Sequence, residues 1–396
     1  MGGKPLNRIK SLFLPAPVQS AYADAGDFMR VACVFFIGWY HIWQQSWLNP
    51  NLEIGGTTLR FYPLVACGYM FVDLMLLLSG FLLMLGFLSG RSRRVLPFYR
   101  ARAARILPSY LLCIAIMLFA WALPNGLYSS AKHLWTDLLA HLSFTHNLFP
   151  YSYSHTRLNG ALWTLAVEVQ FYLIFPLLGR AFEKKPALTY LAMVAAAIAS
   201  RTWMHLNLAD TTIYVNRLSA MLDVYANGML AAWSYHKLRN RPQRSWSAWL
   251  NTALSLLCMA GIYVILNRQL GMSGGENVRF GQMLHRFPLS VLGGGLLICG
   301  SRSIVLLRRL FSNRIARFLS GVSFNFYIWH QFLAVQLKAW RIPPYSGNTP
   351  NFDGQQPWQS QYTLVCFGAA LAVALLITYL VEKPCARWIK SRAKGS

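Results

Sequence analysis

Apolar stretches of about twenty residues recur from one end of this chain to the other, and that recurrence limits its folds more than any motif does. A helix rising 1.5 Å per residue needs about 20 such residues to cross ~30 Å of hydrocarbon. Ten segments fit: 28–47, 66–88, 107–124, 161–179, 187–206, 216–234, 248–267, 284–300, 316–339 and 361–381. They are continuous rather than alternating, which excludes a β-barrel. Charged residues make up 12% of the 396, against about 25% in a soluble domain, and the mean hydropathy is +0.36. The fold class expected is an all-α polytopic membrane protein with about ten transmembrane helices. Segment 131–149, with Lys132, Asp137 and three histidines, is too polar for a span and reads as a re-entrant or interfacial helix.

An even number of spans puts both termini on one side. With the termini inside, 26 of the 37 Lys and Arg fall on the cytoplasmic side and ten on the outer side, counting Arg201, Arg217, Arg286 and Lys338 in the outer ends of spans, while Arg30 lies in the first span. Lysine and arginine are retained on the cytoplasmic side, so the chain is expected to be N-in and C-in. Basic inner loops against anionic lipid also account for most of the +25 net charge. Nucleic-acid binding needs a basic water-facing domain, and none is visible. The opening SLFLPAPVQ is broken by Pro15 and Pro17 and lacks the apolar core of a signal peptide. Residues 1–26 therefore read as a cytoplasmic tail, 27–384 as one transmembrane domain and 385–396 as a basic cytoplasmic tail. Seven cysteines without CxxC spacing, mostly within apolar runs, read as packing residues.

Acidic residues number only twelve, and an ionisable group inside a span is expensive and by default functional. Four such groups draw notice: His41, Asp73, Glu168 and His330. Counted from the outer ends of their spans, all four sit roughly 10–14 Å below the outer surface at 1.5 Å per residue. One shared depth predicts one shared cavity, although polar side chains also glue helices together without further role. Two histidines beside two carboxylates suit acid–base catalysis, because a carboxylate orients an imidazole. A proton-coupled transporter or flippase would use the same residues, so the cluster by itself leaves both readings open.

The segment 89–106, SGRSRRVLPFYRARAARI, adds six arginines. Lipid contact explains Arg91, Arg93 and Arg94. Arg102 and Arg105 lie three apart on one helix face, a spacing suited to bidentate phosphate binding. Arg30 shares a face with His41, eleven residues and about 16 Å away. A phosphate-bearing donor held at the arginines would need a long thin arm to reach His41, and coenzyme A has one ending in a thioester.

The order of these stretches resembles the acyltransferase 3 family of integral membrane acyltransferases, found chiefly in bacteria. DFMRVACVFFIGWYH carries Asp27, Arg30 and His41 at the family's spacing; FVDLMLLLSGFLL carries Asp73, Ser79 and Gly80; FYRARAARILPSYLL carries Arg102, Arg105 and Pro108. LWTLAVEVQFYLIFPLL carries Trp163, Glu168, Phe171 and Tyr172, and YIWHQFL and LVEKP match the last two spans. Leu74, Met75 and Val169 depart from the family's usual aromatic residues and second glutamate. The resemblance implies the stand-alone form of the family, in a bacterial inner membrane. It implies transfer of an acyl group, often acetyl, from cytoplasmic acyl-CoA to a hydroxyl, commonly on a surface or exported glycan, with no metal. His41 would be the general base, with Glu168 or Asp73 orienting it or steadying the imidazolium, and direct attack is preferred to an acyl-enzyme. Arg30, Arg102 and Arg105 would hold the donor phosphates, and Trp163, Tyr172, Tyr327 and His330 would contact substrate.

Other signals read as incidental. His205 and Asp210 have the HxxxxD spacing of soluble acyltransferases but straddle the outer end of a span. His133, His141, His146 and His155 lack a metal-ligand set and read as wet-surface or acceptor-binding histidines.

Overall fold

The computed structural model describes residues 11–14, 23–90 and 93–392. Most of the expected tail 1–26, Arg91 and the last residues of the chain lie outside these. All ten expected segments are helical. The long helices are α1 (Asp24–Ser46), α2 (Phe71–Leu88), α3 (Val95–Ala115, continued as a π-helical stretch Ile116–Ala122), α4 (Ala131–Leu142), α5 (Trp163–Lys184), α6 (Pro186–Asn207), α7 (Leu222–Leu238), α8 (Ser245–Leu270), α9 (Gly275–Gly300), α10 (Arg314–Ala339), α11 (Trp358–Ile377) and α12 (Lys383–Arg392). Seven of them, α2, α3, α5, α6, α8, α9 and α11, are long and apolar enough to cross a membrane by length and composition alone. The chain is an all-α membrane protein. Helix α4, at twelve residues, spans about 18 Å and is too short to cross.

One small departure from all-helical structure is an exposed antiparallel hairpin, Asn51–Ile54 with Thr57–Arg60. Gly55 and Gly56 turn it with φ of +55° and +78°, the positive values that two-residue hairpin loops require.

Local chemistry sets the helix starts. The Asn313 side chain caps α10 by accepting from the Ala316 amide at 2.8 Å. Asn159 accepts from the Ala161 amide at 3.0 Å, opening the turn that leads into α5. Both satisfy amides that a helix start leaves without partners.

Helix α2 lies in the core and α7 crosses it at backbone contact. A Cβ on Gly80 would lie 2.8 Å from the Tyr225 carbonyl oxygen, and one on Gly228 would lie 2.2 Å from that of Leu77. Helix α1 packs against α2 on one side and α10 on the other, and α10 packs in turn against α11. Two buried ion pairs lock α2, α6, α7 and α9 together. Arg286 Nε donates to Asp73 Oδ1 at 3.0 Å, and Arg201 Nη2 donates to Asp223 Oδ2 at 2.6 Å. Both arginines also reach the Ala220 carbonyl, at 3.3 and 2.9 Å. Each charge is thereby paired and hydrogen-bonded, which burial demands.

Candidate active site

Three arginines meet in one slot. Arg30 of α1 and Arg102 and Arg105 of α3 line it with Ser79 of α2, Glu168 and Tyr172 of α5, and Ser323 and Tyr327 of α10; its empty volume is about 600 Å³ including the open side. The arginines converge because α1, α3 and α5 bring one polar face each to a common gap. The Arg102 guanidinium lies 5.7 Å from the ring centroids of both Phe98 and Tyr172, so stacking orients it, and its buried Nε has no partner among the described residues. Glu168 accepts from the Ser79 hydroxyl at 2.8 Å and from the Tyr172 hydroxyl.

Beside the slot, α1 and α10 present two imidazoles. The rings of His41 and His330 are 5.2 Å apart, and the His330 ring is 5.4 Å from that of Tyr327, a wall of the slot. Each ring has its Nδ1 committed. His41 Nδ1 donates to Gln44 Oε1 at 2.8 Å, with the amide oriented by Gln44 Nε2 donating to the Tyr40 hydroxyl at 3.0 Å. His330 Nδ1 donates to the Tyr327 carbonyl at 2.6 Å. Donation from Nδ1 leaves Nε2 of a neutral ring as a lone pair, and the buried His330 Nε2 has no partner among the described residues. Gly38, one turn before His41, permits this approach: a Cβ there would lie 2.8 Å from Phe326 Cε1 and 3.9 Å from His330 Cδ2.

The four groups expected at one depth therefore divide into three places. His41 and His330 are together. Glu168 stands in the slot with Tyr172 and Arg30, Arg102 and Arg105, as a partner of hydroxyls. Asp73 is elsewhere, paired with Arg286. The expectation that Glu168 or Asp73 orients His41 is corrected: the Nδ1 partner is an amide, Gln44. A shared depth fixes height but not direction around each helix. The long Arg286 and Arg201 side chains, both inside expected spans, also take up carboxylates that a count of acidic groups leaves free. Trp163 opens α5 with its ring 6.4 Å from that of Tyr153 and does not line the slot, whereas Tyr172 and Tyr327 do.

His141 and His146 are buried rather than wet. Their rings stack at 4.0 Å, and His141 Nδ1 lies 3.2 Å from Asp137 Oδ1. Burial and the neighbouring His141 push His146 down to about 3. Burial works against ionisation of Asp137, yet His141, the Arg157 amide and the Tyr128 hydroxyl together hold its carboxyl below the usual range. His205 lies against Phe280 with the rings tilted, while Asp210 faces Arg279, so the HxxxxD spacing forms no unit. Ser79 is marked by the FVDLMLLLSGFLL stretch, whereas Gln44, Gly38 and Phe326 carry no sequence signal of function apart from their spacing to His41 and His330.

A family model for an acyltransferase domain matches residues 25–381, a span that runs from the start of α1 past the end of α11. The chain belongs to the acyltransferase 3 family. This acyltransferase is 26% identical over 260 residues to Nodulation protein 10 of Rhizobium leguminosarum bv. viciae, covering 60% of this chain and 67% of that protein. It is 26% identical over 182 residues to Peptidoglycan O-acetyltransferase OatA of Listeria monocytogenes serovar 1/2a, covering 43% of this chain and 28% of that protein. No solved structure matches it. The acyltransferase thus has a positively lined slot, a pair of imidazoles next to it with Nδ1 committed on both, and a helical membrane domain that holds both, which is the equipment of a membrane O-acyltransferase.

Proposed function

We propose that this acyltransferase moves an acyl group, acetyl in the first instance, from cytoplasmic acyl-CoA to a hydroxyl of a surface or exported glycan. In this reading ten helices cross a bacterial inner membrane with both termini in the cytoplasm, and α4 lies at the outer interface. The observation that carries the proposal is the His41–His330 pair, Nδ1 committed on both rings, set against the Tyr327 wall of the three-arginine slot.

The donor's phosphates would meet Arg102, Arg105 and Arg30, whose guanidinium forks suit phosphate oxygens. The pantetheine arm would run along the α1–α10 seam, past Val34 and Tyr327, and place the thioester carbonyl near the imidazoles. His41 Nε2 takes the proton of the acceptor hydroxyl as its oxygen attacks the thioester carbon. The tetrahedral intermediate expels the CoA thiolate, the C–S bond breaks, and the imidazolium returns its proton to the sulfur. No charge is then left on the enzyme, and an ester and free CoA are the products. Gln44 holds the His41 tautomer, and His330 serves as a second imidazole beside it. Glu168, with Ser79 and Tyr172, balances the arginines and keeps their slot open.

Purified protein given labelled acetyl-CoA and candidate glycans should release CoA and form base-labile esters, and His41→Ala should stop both. Turnover that survives His41→Ala would remove the imidazole from the chemistry. Proton-coupled uptake without CoA release from any donor would replace the proposal with transport.

A further inference from the structure

A second cleft begins where the first ends. Along α10, Ser323 and Tyr327 face the arginine slot, His330 follows, and Gln331 and Gln336 line another opening. Across from them stand Trp121, Arg157 and Asn159, with an empty volume of about 690 Å³ including the open side. Along α10, His330 therefore falls between the residues of one opening and those of the other, an order that suits two substrates arriving from opposite ends.

The cleft is built to hold a charge. Asp137 fixes its rim, accepting from the Thr156 hydroxyl at 3.0 Å and the Arg157 amide at 2.9 Å. The Arg157 guanidinium, exposed, has no hydrogen bond or ion pair among the described residues, and none of the lining residues is acidic. The side-chain amides of Gln331 and Gln336 likewise bond to no described residue. Trp121 and Phe332, both in the lining, meet edge to face at 5.5 Å. Aromatic faces take the C–H side of a pyranose, amides take its hydroxyls, and an unmatched guanidinium takes a carboxylate or phosphate.

Resting on the acyl-transfer reading, we propose that this cleft is the acceptor subsite and that it selects an anionic saccharide, with Arg157 as the residue that recognises the charge. A phospholipid headgroup offers the same phosphate chemistry, but it has no pyranose face for Trp121 and Phe332.

The test is equilibrium binding by the full chain, in neutral detergent and in nanodiscs. The probes are a tetrasaccharide alternating glucuronate and N-acetylglucosamine, and the neutral tetrasaccharide of N-acetylglucosamine. The acidic probe should bind at least tenfold more tightly. Arg157→Gln should remove that preference with an unchanged unfolding midpoint, and Arg157→Lys should keep part of it. Gln331→Ala should weaken both probes by a similar factor. Equal binding of the two probes, binding of neither, or a preference that survives Arg157→Gln would overturn the inference. Competition by anionic phospholipid that is itself lost in Arg157→Gln would assign the arginine to lipid, and would also overturn it. Binding needs no turnover, so an acidic preference in a protein that fails to release CoA would sink the transfer reading while leaving the cleft's selectivity standing.

Discussion

His41 and His330 face each other with ring centroids 5.2 Å apart, and each has turned its Nδ1 away from the other. One amide and one backbone carbonyl thus leave each neutral ring with a lone pair on Nε2. Removing either imidazole should be costly but not equal. His41→Ala is expected to lower kcat by about 10²–10⁴, the usual contribution of a general base. Gln44→Leu should lower kcat by about tenfold, with KM for the donor nearly unchanged, because only the tautomer and ring orientation are affected. Steady-state kinetics on purified variants measures both, and a Gln44→Leu enzyme with full kcat would show that the amide is not needed.

Gly38 makes the pair possible by leaving room for Phe326. Gly38→Val should push α10 away from α1, with loss of most activity at near-normal expression. Pairing it with Phe326→Ala should restore part of the turnover, since the clash is with that ring. No recovery in the double variant would place the defect elsewhere.

Arg102 and Arg105 should act on donor binding. Each charge-assisted hydrogen bond lost costs about 1.5–3 kcal/mol, so Arg102→Gln should raise KM for acetyl-CoA by roughly ten- to a hundredfold. Truncating the donor to acetyl-pantetheine should abolish the difference between wild type and variant. A variant equally impaired with both donors would mean that Arg102 does not read phosphate.

Asp73 should behave as a structural residue. Arg286→Met leaves a buried carboxylate alone, a loss of about 3–5 kcal/mol, and should reduce the yield of folded protein. Arg286→Met with Asp73→Leu should recover stability and keep CoA release. A stable double variant without activity would return Asp73 to the chemistry.

His146 gives the protein an acid limit. Its folded value of about 3 lies below the ordinary histidine value of about 6.5, so between these pH values the unfolded chain binds the extra proton. Its contribution to stability is full above about pH 6.5 and falls on acidification by up to about 1.4 kcal/mol per unit. Asp137, held low, loses its contribution at still lower pH, in the same direction. His146→Asn should flatten the unfolding midpoint between pH 6.5 and 4, and a variant as acid-sensitive as the wild type would acquit the histidine.

The helices were legible because twenty apolar residues in a row admit little else, and the ten expected segments all turn out helical. The arginine slot was legible too: Arg102 and Arg105 three apart, and Arg30 on the His41 face, are spacings that a helix converts directly into direction. Asp73 misled because counting depth along a span says nothing about azimuth, and because Arg286 reaches it from 213 positions away in sequence. Gln44 went unnoticed for a different reason. An amide carries no charge to betray its place in a membrane, yet it performs the orienting task that a carboxylate was expected to perform.

The two arginines that meet at the Ala220 carbonyl bear on how the protein can move. With Asp73 and Asp223 they form a set of four charges that cancel, spread over α2, α6, α7 and α9, where α2 and α7 already touch backbone to backbone. Sliding any of these helices would strand a charge in hydrocarbon, so this half behaves as a fixed frame. The α1–α10 seam, where Gly38 meets the Phe326 ring, carries none of these four charges. The two histidines lie on that uncharged seam, outside the frame that the four charges pin.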